Sequence, residues 1–200
     1  MKKAFITTIL SIVYLSAFSQ EKLVKDIDFD GKKDTIYVDE TESKIICRLS
    51  TQNFRKLKSG TIETLHANSP VEGTKNGFEF RNNWMRSGYA MQFRYEKNEK
   101  RIRLIGMSDY AFGNAAGDGS GESSINLLTG DYIGLWNYYD HNANNEKGAL
   151  IKIPAAKAKI YLKKTYLEDI GDNIYYTFTE KRRPIDKKQE TLERNRRNKK

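Results

Sequence analysis

The sequence predicts an antiparallel all-β domain, either a sandwich or a small propeller-like array of short strands, and three observations carry that class. Period-two alternation of apolar and polar residues recurs along the chain, and β-branched and aromatic runs fall between polar turns at regular spacing. No ten-residue helical pattern precedes the last twenty residues. Composition sets the scale. With 200 residues, 38% hydrophobic and 12% aromatic, the chain fills one ordinary core, and twelve Tyr with nine Phe are too many for a disordered protein.

The chain opens with Lys2 and Lys3 before a mostly apolar stretch, residues 4–18, and Ala17 and Ser19 supply the small residues that a signal peptidase reads before Gln20. Residues 1–19 therefore read as a signal peptide, because a stretch this short falls below the ~20 residues a spanning helix needs. The expectation is an exported protein, periplasmic or extracellular, with no transmembrane segment in the mature chain.

Strands follow. Residues 35–38 (Thr-Ile-Tyr-Val) and 44–50 (Lys-Ile-Ile-Cys-Arg-Leu-Ser) are β-branched runs separated by a polar turn, 39–43. In the second run Ile45, Cys47 and Leu49 share a face, which makes Cys47 a small buried hydrophobe and not a reactive thiol. As the single cysteine it cannot form an intrachain disulfide or a thiolate zinc cluster. Residues 89–95 place Tyr89, Met91, Phe93 and Tyr95 on one side and Gln92 and Arg94 on the other, and a turn at 97–100 leads into a partner strand at 101–107. A second hairpin pairs 124–128 with 132–139 around Thr129, Gly130 and Asp131. Residues 157–163 and 173–179 read as the last two strands. Only 191–200 has helical character, and it lacks an apolar face. The domain is thus expected at 20–180, with a basic tail at 181–200 that is poorly ordered or shortly helical.

Charge sorts the same way. Residues 181–200 hold ten basic residues against Asp186, Glu190 and Glu193, whereas residues 20–180 are neutral, 23 against 23. A neutral body with a basic end has no basic groove for nucleic acid, which leaves a protein or an anionic envelope polymer as the expected partner of a monomer. With only Ile185 and Leu192 as large apolar residues, the segment 182–200 is expected to be dispensable for folding.

The most specific chemistry lies at 26–34, where Asp26, Asp28, Asp30 and Asp34 stand in the order D-x-D-x-D-G-x-x-D. Alternate aspartates converge hard oxygens on one point when the chain curls, and Gly31 permits the sharp turn. The expected calcium ligands are Asp26, Asp28, Asp30, the carbonyl of Lys32, and Asp34 directly or through water. A helical EF-hand would need a bidentate Glu at position 12, where Tyr37 stands. The loop instead resembles the calcium loop of FG-GAP and VCBS-type repeats, present here once, and the resemblance implies a β-hairpin around a structural ion. The order of this loop, an aromatic hairpin, "FGNAAGDGSGESSINLLTG" and "IGLWNYYD" is similar to that of exported proteins of Bacteroidetes. A more distant similarity connects an aspartate loop in a small exported β domain to calcium-containing periplasmic inhibitors of lysozyme-like enzymes. The S-G-x-x-Y loop of those inhibitors is not matched, since Ser87-Gly88 runs directly into Tyr89 and Ser120-Gly121 into Glu122.

Other residues offer a ligand or partner surface: Trp84, Arg86, Trp136 and Tyr138 as an aromatic and cationic mixture, Asp118 and Ser120 in a glycine-rich loop, and His141 beside Asp140. The glycine loop lacks the Gly-Lys-Ser/Thr of a phosphate loop. No nucleophile motif accompanies either histidine, so the chain reads as a binding domain without catalysis. The alternatives are an inhibitor or immunity protein against a cell-wall hydrolase, and a glycoside hydrolase, which would need two of Glu79, Asp109, Asp118 and Asp140 about 5 to 9 Å apart.

Overall fold

A computed structural model describes residues 22–67 and 69–199; the expected signal peptide lies outside them. Among the described residues, twelve antiparallel strands form two open sheets, and a long helix follows them. The first sheet runs in chain order: β1 (Lys22–Lys25), β2 (Asp34–Asp39), β3 (Lys44–Arg48) and β4 (Lys56–Lys58). The second comprises β5 (Val71–Thr74), β6 (Gly77–Asn83), β7 (Ser87–Glu96), β8 (Arg101–Phe112), β9 (Ser120–Asn126), β10 (Asp131–Asp140) and β11 (Ala149–Lys152), again in order, with β12 (Ala156–Lys159) also pairing β10. Neighbour-to-neighbour connections of this kind need only short turns. The all-β class is therefore correct, in the form of two sheets and no closed barrel.

One continuous core joins the sheets. Ile36, Ile45, Cys47 and Leu49 from the first meet Phe78, Phe80, Met91 and Phe93 from the second, all fully buried. Alternation decides which side chains these are: in β7 Tyr89, Met91, Phe93 and Tyr95 point inward, as the sequence predicts. A register shift between Gln92 and Phe93 against β8 then moves the inward set from Ile102 and Leu104 to Met107 and Asp109. Cys47 is buried with Ile45 and Leu49, and burial, reinforced by the charge of Asp34, pushes its thiol pKa well up, so it is an inert core group.

Two sequence expectations are overturned at the C-terminal end. Residues 173–179 are not a strand, and helicity is not confined to the last ten residues: 173–179 and 191–197 both belong to α1 (Asp172–Arg197), a 26-residue helix running unbroken through the expected domain boundary at 180. Tertiary contacts override the β-rich local composition of Ile174, Tyr175, Tyr176 and Thr177. Ile174, Tyr175, Phe178 and Ile185 recur at helical spacing and pack on the core, with Phe178 fully buried. Asp172 fixes the helix start to the loop between β4 and β5, its carboxylate accepting hydrogen bonds from Glu63 N–H (2.6 Å) and Thr64 Oγ1 (2.5 Å). No helix among the described residues is long and apolar enough to cross a membrane.

Candidate metal centre

The loop between β1 and β2 winds around its own carboxylates. Asp26 accepts Phe29 N–H (2.7 Å) and Asp30 N–H (3.3 Å) on Oδ1 and Gly31 N–H (3.0 Å) on Oδ2. Such tight winding takes left-handed backbone at Phe29 (φ 61°) and Gly31 (φ 88°). Glycine adopts it freely; a bulky aromatic does not.

Asp34, the first residue of β2, is wholly buried and bridges two segments. Its Oδ2 accepts Ile27 N–H (2.7 Å) and Asp28 N–H (3.2 Å), and its Oδ1 accepts Ser50 N–H (2.8 Å) from the short 3₁₀ turn Ser50–Gln52 that follows β3. Asp28, 2% exposed, receives Thr51 Oγ1 (2.5 Å) and Thr51 N–H (3.3 Å) on Oδ2. Its other oxygen, Oδ1, is buried without a hydrogen-bond partner. The exposed Asp30 accepts Ser50 Oγ (2.7 Å) and Lys32 N–H (2.8 Å), and these bonds, the serine hydroxyl foremost, hold its carboxyl below the usual range.

One oxygen from each of Asp26, Asp28 and Asp34 lies within 4.8 Å of the others. Asp30, predicted as a further ligand, is not in that group of three carboxylates; its Oδ1 accepts the N–H of Lys32, the residue whose carbonyl is the other predicted ligand. Three carboxylates at this separation repel, and two of them have been taken out of water, so the arrangement favours a cation bound by hard oxygen. The orphaned Asp28 Oδ1 fits the same group, since a buried charged oxygen without a donor is costly to leave unsatisfied. Ser50 and Thr51, which orient Asp30, Asp34 and Asp28, are absent from any reading of the motif. They are 16 to 23 residues away in sequence and arrive only through the pairing of β2 with β3.

The other predicted surface does not assemble in one place. Trp84 packs on the core, edge-on to Tyr89 and Tyr175, and donates Nε1–H to the Thr64 carbonyl (3.0 Å). Trp136 and Tyr138 carry the helix: the guanidinium of Arg182 lies 4.6 Å from the ring of the first, that of Arg194 3.8 Å from the second. Arg86, Asp118 and Ser120 hold the glycine loop: Arg86 donates to the Gly113 carbonyl (2.6 Å), Asp118 accepts Tyr139 N–H (2.7 Å) and Ser120 Oγ accepts Asn137 Nδ2 (3.1 Å). His141 sits edge-on against Tyr139, 4.9 Å away. The carboxylates considered for hydrolysis are each engaged. Asp109 is held by Ser123 and Arg182, Glu79 by Arg81 (2.6 Å), Asp118 as above, and Asp140 accepts Asn142 N–H (3.1 Å). No protein-family model matches the chain, and neither a curated protein nor a solved structure matches it significantly.

Proposed function

We propose that the protein is an exported β-domain stabilised by calcium, which binds a protein or an anionic envelope polymer and performs no catalysis. The observation that carries the calcium reading is the buried, unpartnered Oδ1 of Asp28, set beside the carboxylates of Asp26 and Asp34. In that reading Asp26, Asp28 and Asp34 hold the ion, which neutralises their mutual repulsion and ties the β1–β2 loop to the turn at Ser50. Export rests on the charged, apolar and small-residue order of residues 1–19. Binding in preference to chemistry is supported by the four carboxylates considered for hydrolysis, Glu79, Asp109, Asp118 and Asp140, each of which already holds a partner.

The test is the thermal midpoint in calcium against chelator. A ligand that binds only the folded chain stabilises it by about 2.7 kcal/mol at a hundredfold excess over Kd. Calcium is expected to raise the midpoint of the protein, and Asp28→Asn to remove most of the rise while leaving the chain folded in chelator. Superimposable scans with and without calcium would end the calcium reading.

A further inference from the structure

A cavity of about 720 Å³ opens beside the aspartate loop. Three segments meet around it: Asp28, Phe29 and Asp30 from the β1–β2 loop, residues 51–55 after β3, and the turn at 97–100 joining β7 to β8. Gln52 locks the second to the third, donating Nε2–H to the Lys100 carbonyl (3.0 Å). Such a volume suits a ligand of one or two sugar units.

Three cations line it: Arg55, Lys97 and Lys100. Among the described residues none of them pairs with a carboxylate, although neighbouring cations do: Arg101 with Glu168 (2.7 Å), Lys58 with Glu42 (2.6 Å) and Lys164 with Glu99. Asp30 shares the cavity and stays committed to Ser50 and the Lys32 amide. Three cations without a carboxylate partner around one opening can take their counter-charge from outside. Phe29 adds an apolar face. It holds the left-handed backbone that bulky residues avoid, keeps its ring 48% exposed at the rim, and has the Lys97 ammonium 5.8 Å from the ring centroid.

We propose that this pocket binds an anionic saccharide, its phosphate or carboxylate held by Arg55, Lys97 and Lys100 and a face of its ring resting on Phe29. The site deepens the calcium reading and rests on it in one respect: an ion on the aspartates cancels the negative charge of Asp28, which leaves Asp30 alone against the three cations of the lining.

Calorimetric titration of the protein tests both parts separately. Calcium is titrated first, without sugar; then glucose 6-phosphate, glucuronate and glucose are each titrated up to about 5 mM, in calcium and in chelator. The expected result is binding of the phosphorylated or the carboxylated sugar, stronger in calcium and weakened by salt, with glucose inert; which of the two binds tells phosphate from carboxylate. Replacing Arg55, Lys97 and Lys100 together by Gln should weaken that binding about tenfold or more, and Phe29→Gly, which relieves the backbone, should weaken it while the calcium heat persists. Calcium heat with no sugar binding, equal binding of glucose, or unchanged binding by the triple variant would overturn the pocket. Sugar binding in chelator with no calcium heat would keep the pocket and overturn the calcium reading.

Discussion

Asp34 and Asp28 occupy one cluster and do different work. Asp34 has both oxygens filled by backbone N–H groups of Ile27, Asp28 and Ser50, so it holds the loop together whatever else is bound. Asp28 has one oxygen filled and one waiting. Asp34→Asn puts an amide NH₂ against a backbone N–H in a fully buried position, and the expected cost is about 1–3 kcal/mol even in chelator. Asp26→Asn should cost less, because that side chain keeps contact with water. Urea unfolding of the two variants in chelator checks the order; a smaller loss for Asp34→Asn would refute the division of roles. The motif was legible here because four aspartates fall within nine residues of one loop, and the structure brings three of them, Asp26, Asp28 and Asp34, together. The flanking hydroxyls were not, because Ser50 and Thr51 owe their place to strand register, which spacing does not encode. The pocket cations were equally hidden, since Arg55, Lys97 and Lys100 come from two turns that no local pattern relates.

At the scale of the element, α1 is where sequence reasoning failed, and the cause is specific. Aromatic and β-branched residues at 174–179 satisfy a strand template over six residues, while the helical set Ile174, Phe178 and Ile185 is diluted by a charged residue in its own stripe. That residue is Arg182. It pairs with buried Asp109 of β8 and with Asp186 (2.8 Å), which in turn accepts the Tyr132 hydroxyl (2.6 Å). Burial raises the pKa of Asp109 in spite of this partner, so the carboxylate depends on the guanidinium to stay charged. Removing one member of such a pair strands the other, and Arg182→Met is expected to destabilise the protein by about 3–5 kcal/mol. Truncation before Arg182 would remove the same charge together with Ile185, so the basic segment is expected to contribute to folding, in contrast to the expectation from its composition. Urea midpoints of the point variant decide it; a loss below about 1 kcal/mol would show that Asp109 relaxes by taking up a proton.

Across the whole molecule, charge follows the helix. The neutral body and basic end read from composition correspond to two sheets and one cationic rod, so the charge asymmetry was legible while its rigid geometry was not. Folding the end into a helix divides the eight cations within α1 into two groups. Arg182, Arg194, Arg196 and Arg197 face carboxylates, whereas Lys181, Arg183, Lys187 and Lys188 are exposed and carry no ion pair among the described residues. Only the second group can meet an anionic polymer without breaking an internal pair, and exposed charges act over roughly a Debye length, about 8–10 Å at moderate salt. Replacing these four residues by Gln lowers the formal charge by four and touches no core contact. The stability is therefore expected to stay within about 1 kcal/mol of the parent, with the thermal midpoint moved by no more than a few degrees. Retention on lipopolysaccharide-coated beads should fall at low salt and lose its salt dependence. Equal retention of parent and variant at both low and moderate salt would show that the exposed helix charges only keep the protein in solution, and a lowered midpoint would show that one of the four carries a structural contact.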